Sequence, residues 1–130
     1  MVNRRGKGKG RLIATGFASP ADDFLERPLD LNSYIVKNPS ATFFFRYEGE
    51  GFDLRNVMNG DLLVVDRSLT PVSGDLVVVV CGDEFILREI KIKSRKIYLL
   101  SDTGLEDPVL CGNFEIWGVV THIIRNLRHK

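Results

Sequence analysis

The chain has 130 residues, 44% of them apolar and 27% charged, with a formal net charge of +1. Those totals fit one soluble globular domain able to bury roughly two-thirds of its unfolded surface, and they exclude wholesale disorder. No run approaches the roughly 18 consecutive apolar residues of a membrane helix, and the positive N-terminus is followed by no signal-peptide apolar core, so a cytoplasmic location is expected.

Residues 1–11 (MVNRRGKGKGR) are basic and Gly-rich, with almost no apolar anchor. They read as a flexible arm, taken here as residues 1–15, ahead of a domain of residues 16–130. Arg4, Arg5, Lys7, Lys9 and Arg11 could touch phosphates non-specifically, but a solvated tail is the commoner meaning of such a run. Without these five of 18 basic residues, 13 stand against 17 acidic ones, so the body is mildly acidic. The Gly6–Gly10 stretch has no strand before it or helix after it, which sets aside a phosphate loop.

Leu12 and Ile13 open the first apolar patch, and Thr15 to Pro20 reads as extended chain because a residue before proline is pushed out of helical geometry. Asp22 to Glu26 is expected as a helical turn. Asp30 to Lys37 is a better short helix, with Asp30 as its cap and Pro39 closing it. Beyond Ser40 the pattern turns β. Ala41 to Tyr47 is rich in aromatic and β-favouring residues, and Leu62–Val65 and Leu76–Cys81 are the short apolar runs of strands buried on both faces.

Gly60-Asp61-Leu62-Leu63-Val64-Val65 recurs as Gly74-Asp75-Leu76-Val77-Val78-Val79. The unit is too short for a solenoid and points to two similar corners in one coiled sheet. Gly82-Asp83 turns into a hairpin strand over Glu84 to Ile92. Lys96–Leu100 and Glu115–Ile124 supply two more strands, and Gly118 inside the last marks a bulge or a close backbone approach. The expected fold is mostly β, a folded-over antiparallel sheet or partial barrel with a short helix near the N-terminus.

Spacing alone yields no active site and no cofactor or metal. Cys81 and Cys111 are too few for a disulfide framework and are expected as two small core residues in a reducing compartment. His122, in the last strand, reads as structural, and His129 lies in the tail.

Several landmarks follow one another in order: Gly16-Phe17-Ala18-Ser19-Pro20-Ala21, Asp30-Leu31-Asn32, Pro39-Ser40-Ala41-Thr42, Asn59 to Asp66, Gly74-Asp75, Glu84-Phe85 and Trp117 to His122. From about Gly16 to Ile124 they resemble the LexA/UmuD family of self-cleaving serine peptidases, in its UmuD-like branch. The resemblance implies the sheet fold of that family and a Ser–Lys pair, in which lysine is the base that activates a serine hydroxyl. The family's serine lies in a G-[DS]-S-M motif. The matching segment here is Gly49-Glu50-Gly51-Phe52, which runs to Gly60-Asp61 without a gap and puts Gly51 at the serine position. The family's lysine follows an E-F-x-V landmark. Here Glu84-Phe85-Ile86-Leu87 leads to Arg88, whose guanidinium keeps its proton in proteins.

The same resemblance places the former cleavage bond at Thr15-Gly16, where family members carry Cys or Ala before the glycine. It implies an SOS-response, translesion-synthesis accessory protein unable to cleave itself. Implied partners are a second copy of the chain or an active family member in a dimer, an error-prone Y-family DNA polymerase and a recombinase–single-stranded-DNA filament, with no membrane partner. Two other readings stay open: an active autopeptidase with an unrecognised serine, and a nucleic-acid-binding module acting through the basic arm.

Overall fold

The computed structural model describes residues 10–12, 29–106 and 114–128. The expected helical turn at Asp22–Glu26, the Thr15-Gly16 bond, Cys111, His129 and residues 1–9 of the arm lie outside them. The chain divides into two compact units, Met1–Tyr34 and Ile35–Lys130.

Helix α1 (Leu31–Ile35) begins where expected. Asp30 Oδ1 accepts from the backbone N–H of Asn32 (3.1 Å) and Ser33 (3.4 Å), and Ser33 Oγ donates to Asp30 Oδ2 at 2.9 Å. The side chain thus satisfies N–H groups that the first turn leaves without helical partners. Pro39 opens a 3-10 turn (Pro39–Ala41) that feeds the first strand.

Six strands form one antiparallel sheet: β1 (Thr42–Arg46), β2 (Leu62–Asp66), β3 (Leu76–Cys81), β4 (Glu84–Lys93), β5 (Lys96–Leu100) and β6 (Phe114–Ile124), in the order β1-β2-β6-β3-β4-β5. The continuous apolar runs of β2 and β3 serve both faces. One core joins Leu63, Val65, Leu76, Val78 and Leu87 with Phe52 and Val57, and a second joins Val77, Val79, Ile90, Leu99 and Val119.

The sheet is folded over but not closed. Phe45 of β1 and Phe85 of β4 are separated by three strands in the sheet order, yet their ring centroids are 5.1 Å apart. Trp117 of β6 sits between them, edge-on to Phe45 at 5.3 Å and to Phe85 at 5.4 Å. Arg67 lies 4.3 Å above the indole and donates Nε–H to the Trp117 carbonyl at 2.8 Å. The β3/β6 register shifts beside Gly118, and a Cβ there would fall 2.6 Å from Val65 Cγ1. Both the expected bulge and the expected close approach are therefore present.

The sequence echo is a structural echo. Gly60 and Gly74 adopt φ of 94° and 99°. Asp61 and Asp75 each donate N–H to the carbonyl three residues back, Met58 and Val72, at 3.0 Å. Each returns Oδ2 to that residue's N–H at 2.8 Å. Tyr47 bridges the first corner, accepting from Gly60 N–H and donating to the Asp61 carbonyl, and Ile90 does the same for Gly74 and Asp75. The corners differ in one respect. Asp61 is 1% exposed. Arg125, just past β6, donates Nε–H to its Oδ1 and a terminal N–H to its Oδ2, both at 2.8 Å, and a further N–H to the Asn56 carbonyl at 2.6 Å.

Cys81 is disulfide-bonded, which corrects the expectation of a free core thiol. It ends β3 opposite Phe114.

The Arg125 hydrogen bonds hold the Asp61 carboxyl below the ordinary carboxylate range, outweighing its burial. At Asp66 burial acts upward, but hydrogen bonds from Ser68 and Asn38 outweigh it and the net shift is again downward. The unfolded chain therefore takes up protons first as pH falls. The stabilisation is complete above about pH 4 and is lost as pH drops through the folded values. Asp61→Ala, which strands the guanidinium and the Met58 N–H, is expected to cost about 3 kcal/mol in denaturant unfolding at neutral pH. Asp61→Asn should flatten the acid limb of the stability profile; an unchanged limb would remove Asp61 from this role.

Candidate functional site

A cleft of about 490 Å³ opens where the end of β1 and the following loop face the start of β4 and the turn after β5. Phe52, Leu63, Val78 and Leu87 make its apolar floor, and Tyr47, Arg88, Ser101 and Asp102 contribute polar groups. Gly51 and Arg88, 37 positions apart in sequence, both line it.

The loop that carries Gly51 is tightly pinned. Phe52 and Val57 form an antiparallel bridge, with N–H to O distances of 2.9 and 3.1 Å in the two directions. Both side chains are buried in the first core. Between them Asp53–Arg55 makes a 3-10 turn, and Asn56 closes it at φ 57°. Gly49 N–H donates to Asn59 Oδ1 at 2.9 Å. Gly51 itself stands at φ 93°, and a Cβ there would lie 2.9 Å from the Val57 carbonyl oxygen. That oxygen belongs to the backbone of the bridge and cannot swing aside. The present backbone at position 51 therefore suits glycine alone.

Arg88 donates to the Leu87 carbonyl at 2.6 Å. Tyr47 has its hydroxyl pushed above the usual tyrosine range by burial and by the negative charge of Asp102, which together exceed the opposing pull of Arg88. It stays protonated and can act only as a neutral donor or acceptor. Ser101 is the serine among the described lining residues, and the sequence reading missed it together with Tyr47 and Asp102. No motif flags them: they sit just past strand ends and enter the cleft only through the fold. Ser101 Oγ contacts Thr103 Oγ1 at 3.0 Å and donates to the Leu105 carbonyl at 3.3 Å, so it serves its own turn. No lysine or histidine is among the described lining residues.

His122 pairs with Val64 in the β2/β6 ladder, and its Nδ1 lies 2.9 Å from Thr121 Oγ1. It is not among the cleft's lining residues. Of the five basic arm residues only Arg11 is described, and it is exposed; Arg4, Arg5, Lys7 and Lys9, like Thr15 and Gly16, lie outside the described residues.

Restoring the pair by Gly51→Ser with Arg88→Lys is expected to leave the Thr15-Gly16 bond intact. The serine would have to force its Cβ against the bridge carbonyl, and Gly51→Ser alone should cost about 1–3 kcal/mol in thermal or denaturant unfolding. Cleavage by the double variant, seen as a shortened intact mass, would show that the loop adapts readily to a side chain.

The family model described as Peptidase S24-like matches residues 10–121. The chain is 43% identical over 114 residues to Protein ImpA of Salmonella typhimurium, covering 87% of this chain and 79% of the relative. It is 38% identical over 113 residues to Protein SamA of Salmonella typhimurium, covering 87% and 80%. It is also 38% identical over 115 residues to Protein MucA of Escherichia coli, covering 85% and 77%. With a matching sheet and a match over most of its length, the chain belongs to the Peptidase S24-like family, as a UmuD-like member of the LexA/UmuD group.

Proposed function

We propose that this chain is an SOS-response, translesion-synthesis accessory protein that does not cleave itself. It acts by dimerising and by binding a Y-family DNA polymerase, a recombinase filament, or both. The observation that carries this reading is the pairing of Gly51 and Arg88 in one cleft. A nucleophile and its base must converge on a reacting carbonyl, and here the converging positions carry no hydroxyl and no amine. In this reading the arm of residues 1–15 stays attached to the domain of residues 16–130 across Thr15-Gly16.

A binding role needs a surface, and the aromatic group at the fold-over offers one. Phe43 and Phe85 are 42% and 52% exposed while both contact Trp117 edge-on. Half-exposed aromatics clustered in this way are the composition of protein–protein contact cores. A dimer with a second copy, or with an active family member that it would blunt, uses the same chemistry. Among the described residues no helix is long and apolar enough to cross a membrane. The cytoplasmic placement proposed here rests on the family role. The Cys81 disulfide pulls the other way, since reducing compartments keep such bonds open.

Ser101 gives the competing autopeptidase reading its one structural foothold, because it is a serine lining the cleft. Reaction with a fluorophosphonate probe separates the two readings. The accessory role predicts no labelled serine, together with co-purification of a Y-family polymerase that weakens on Phe85→Ala. Labelling of Ser101 would overturn it in favour of the peptidase.

A further inference from the structure

Strand β4 pairs with β3 as far as Glu89. Ile90 still bonds to Gly74 and Asp75, and Ile92 N–H donates to Ser73 Oγ, while the only strand paired with Ile90–Lys93 among the described residues is β5. The result is a two-stranded ribbon closed by Ser94 and Arg95, both at positive φ (52° and 66°). Two left-handed residues make the twisted turn that keeps such a ribbon tightly paired. Register gives it two unlike faces. Ile92 lies opposite Ile97 on one, while Lys93 lies opposite Lys96 and Lys91 opposite Tyr98 on the other.

Lys91, Lys93, Arg95 and Lys96 are all exposed. None of the four is ion-paired with a described residue, and no acidic residue occurs from 90 to 101. Like charges directly opposite each other destabilise a strand pair, and Lys93 with Lys96 is such a pair. One lysine is enough to keep an edge from pairing with another sheet, whereas four cations crowd one face and tip here. The chain's net charge is only +1, so this is a local concentration and not a general basicity.

A bound polyanion removes the repulsion. Lys91 and Lys93 recur about 6.8 Å apart along the strand, which is comparable with the spacing of phosphates in an extended nucleic-acid strand. Tyr98 offers a ring beside Lys91 on which a base can stack. We propose that the β4–β5 ribbon docks the phosphate backbone of single-stranded DNA. The inference is independent of the silent cleft and of the polymerase partner.

The test is fluorescence anisotropy of a labelled oligothymidine with the full chain, titrated between about 50 and 200 mM salt. Lys91→Gln, Lys93→Gln and Lys96→Gln together should weaken binding about tenfold or more at the low-salt end. They should also reduce the slope of log affinity against log salt by about 2, from about 0.7 for each phosphate that the ribbon no longer neutralises. Because these changes remove a repulsion, the melting temperature should hold or rise, which separates lost binding from unfolding. Alanine at Arg4, Arg5, Lys7, Lys9 and Arg11 should leave the ribbon's share of the slope in place. The proposal is overturned if the wild-type chain does not bind, if the ribbon variant matches it, or if only the arm variant loses binding. Capture by phosphatidylserine vesicles without oligothymidine binding would assign the ribbon to a membrane surface and overturn it as well.

Discussion

A buried carboxylate, Asp61, ties the C-terminal end of the sheet to the loop that faces the cleft. It receives two guanidinium N–H groups from Arg125 and one backbone N–H from Met58. Arg125 continues to the Asn56 carbonyl, so one side chain fastens both the Gly-Asp corner and the 3-10 turn beneath Gly51. A carboxylate at 1% exposure is tolerable only when its acceptor sites are filled, and here charged donors fill them. The matching corner at Asp75 has the same backbone bonds without such an arginine, and it serves an ordinary strand connection. The same sequence device is used twice, and the added ion pair makes one copy into the anchor of the candidate site.

That anchoring bears on the proposed absence of a nucleophile at position 51. A serine exchanged for glycine on an unchanged backbone is reversed by one substitution. Here the backbone has settled at φ 93° against the Phe52–Val57 bridge, with both bridge side chains in the core. Only glycine occupies that geometry without strain. In the proposed reading, Arg88 puts a permanent cation where an amine able to lose its charge is required. The cleft is open and partly apolar.

Much of this was legible in the sequence. The continuous apolar runs gave β2 and β3 their burial on both faces, Asp30 announced its helix cap, and Gly118 announced the bulge. The Gly-Asp echo even foretold two equivalent corners. Each of these signals is local, set by periodicity or by one residue's conformational preference. What escaped notice depends on distant pairs. Asp61 and Arg125 are 64 residues apart, and Phe45 meets Phe85 only because the sheet folds over. Ser101 and Asp102 reach the cleft by the path of the chain after β5. The glycine at 51 was visible, but its positive φ was not, since glycine permits both signs equally. The cations of the β4–β5 ribbon were likewise plain as letters, and only the register puts three of them on one face.

The central claim, that this member of a self-cleaving family does not cut itself, is tested most directly by intact mass. The purified full chain is incubated with recombinase, ATP and single-stranded DNA, with an active family member as the positive control. The account predicts a single unchanged mass for this chain while the control is processed. A product beginning at Gly16 would contradict it.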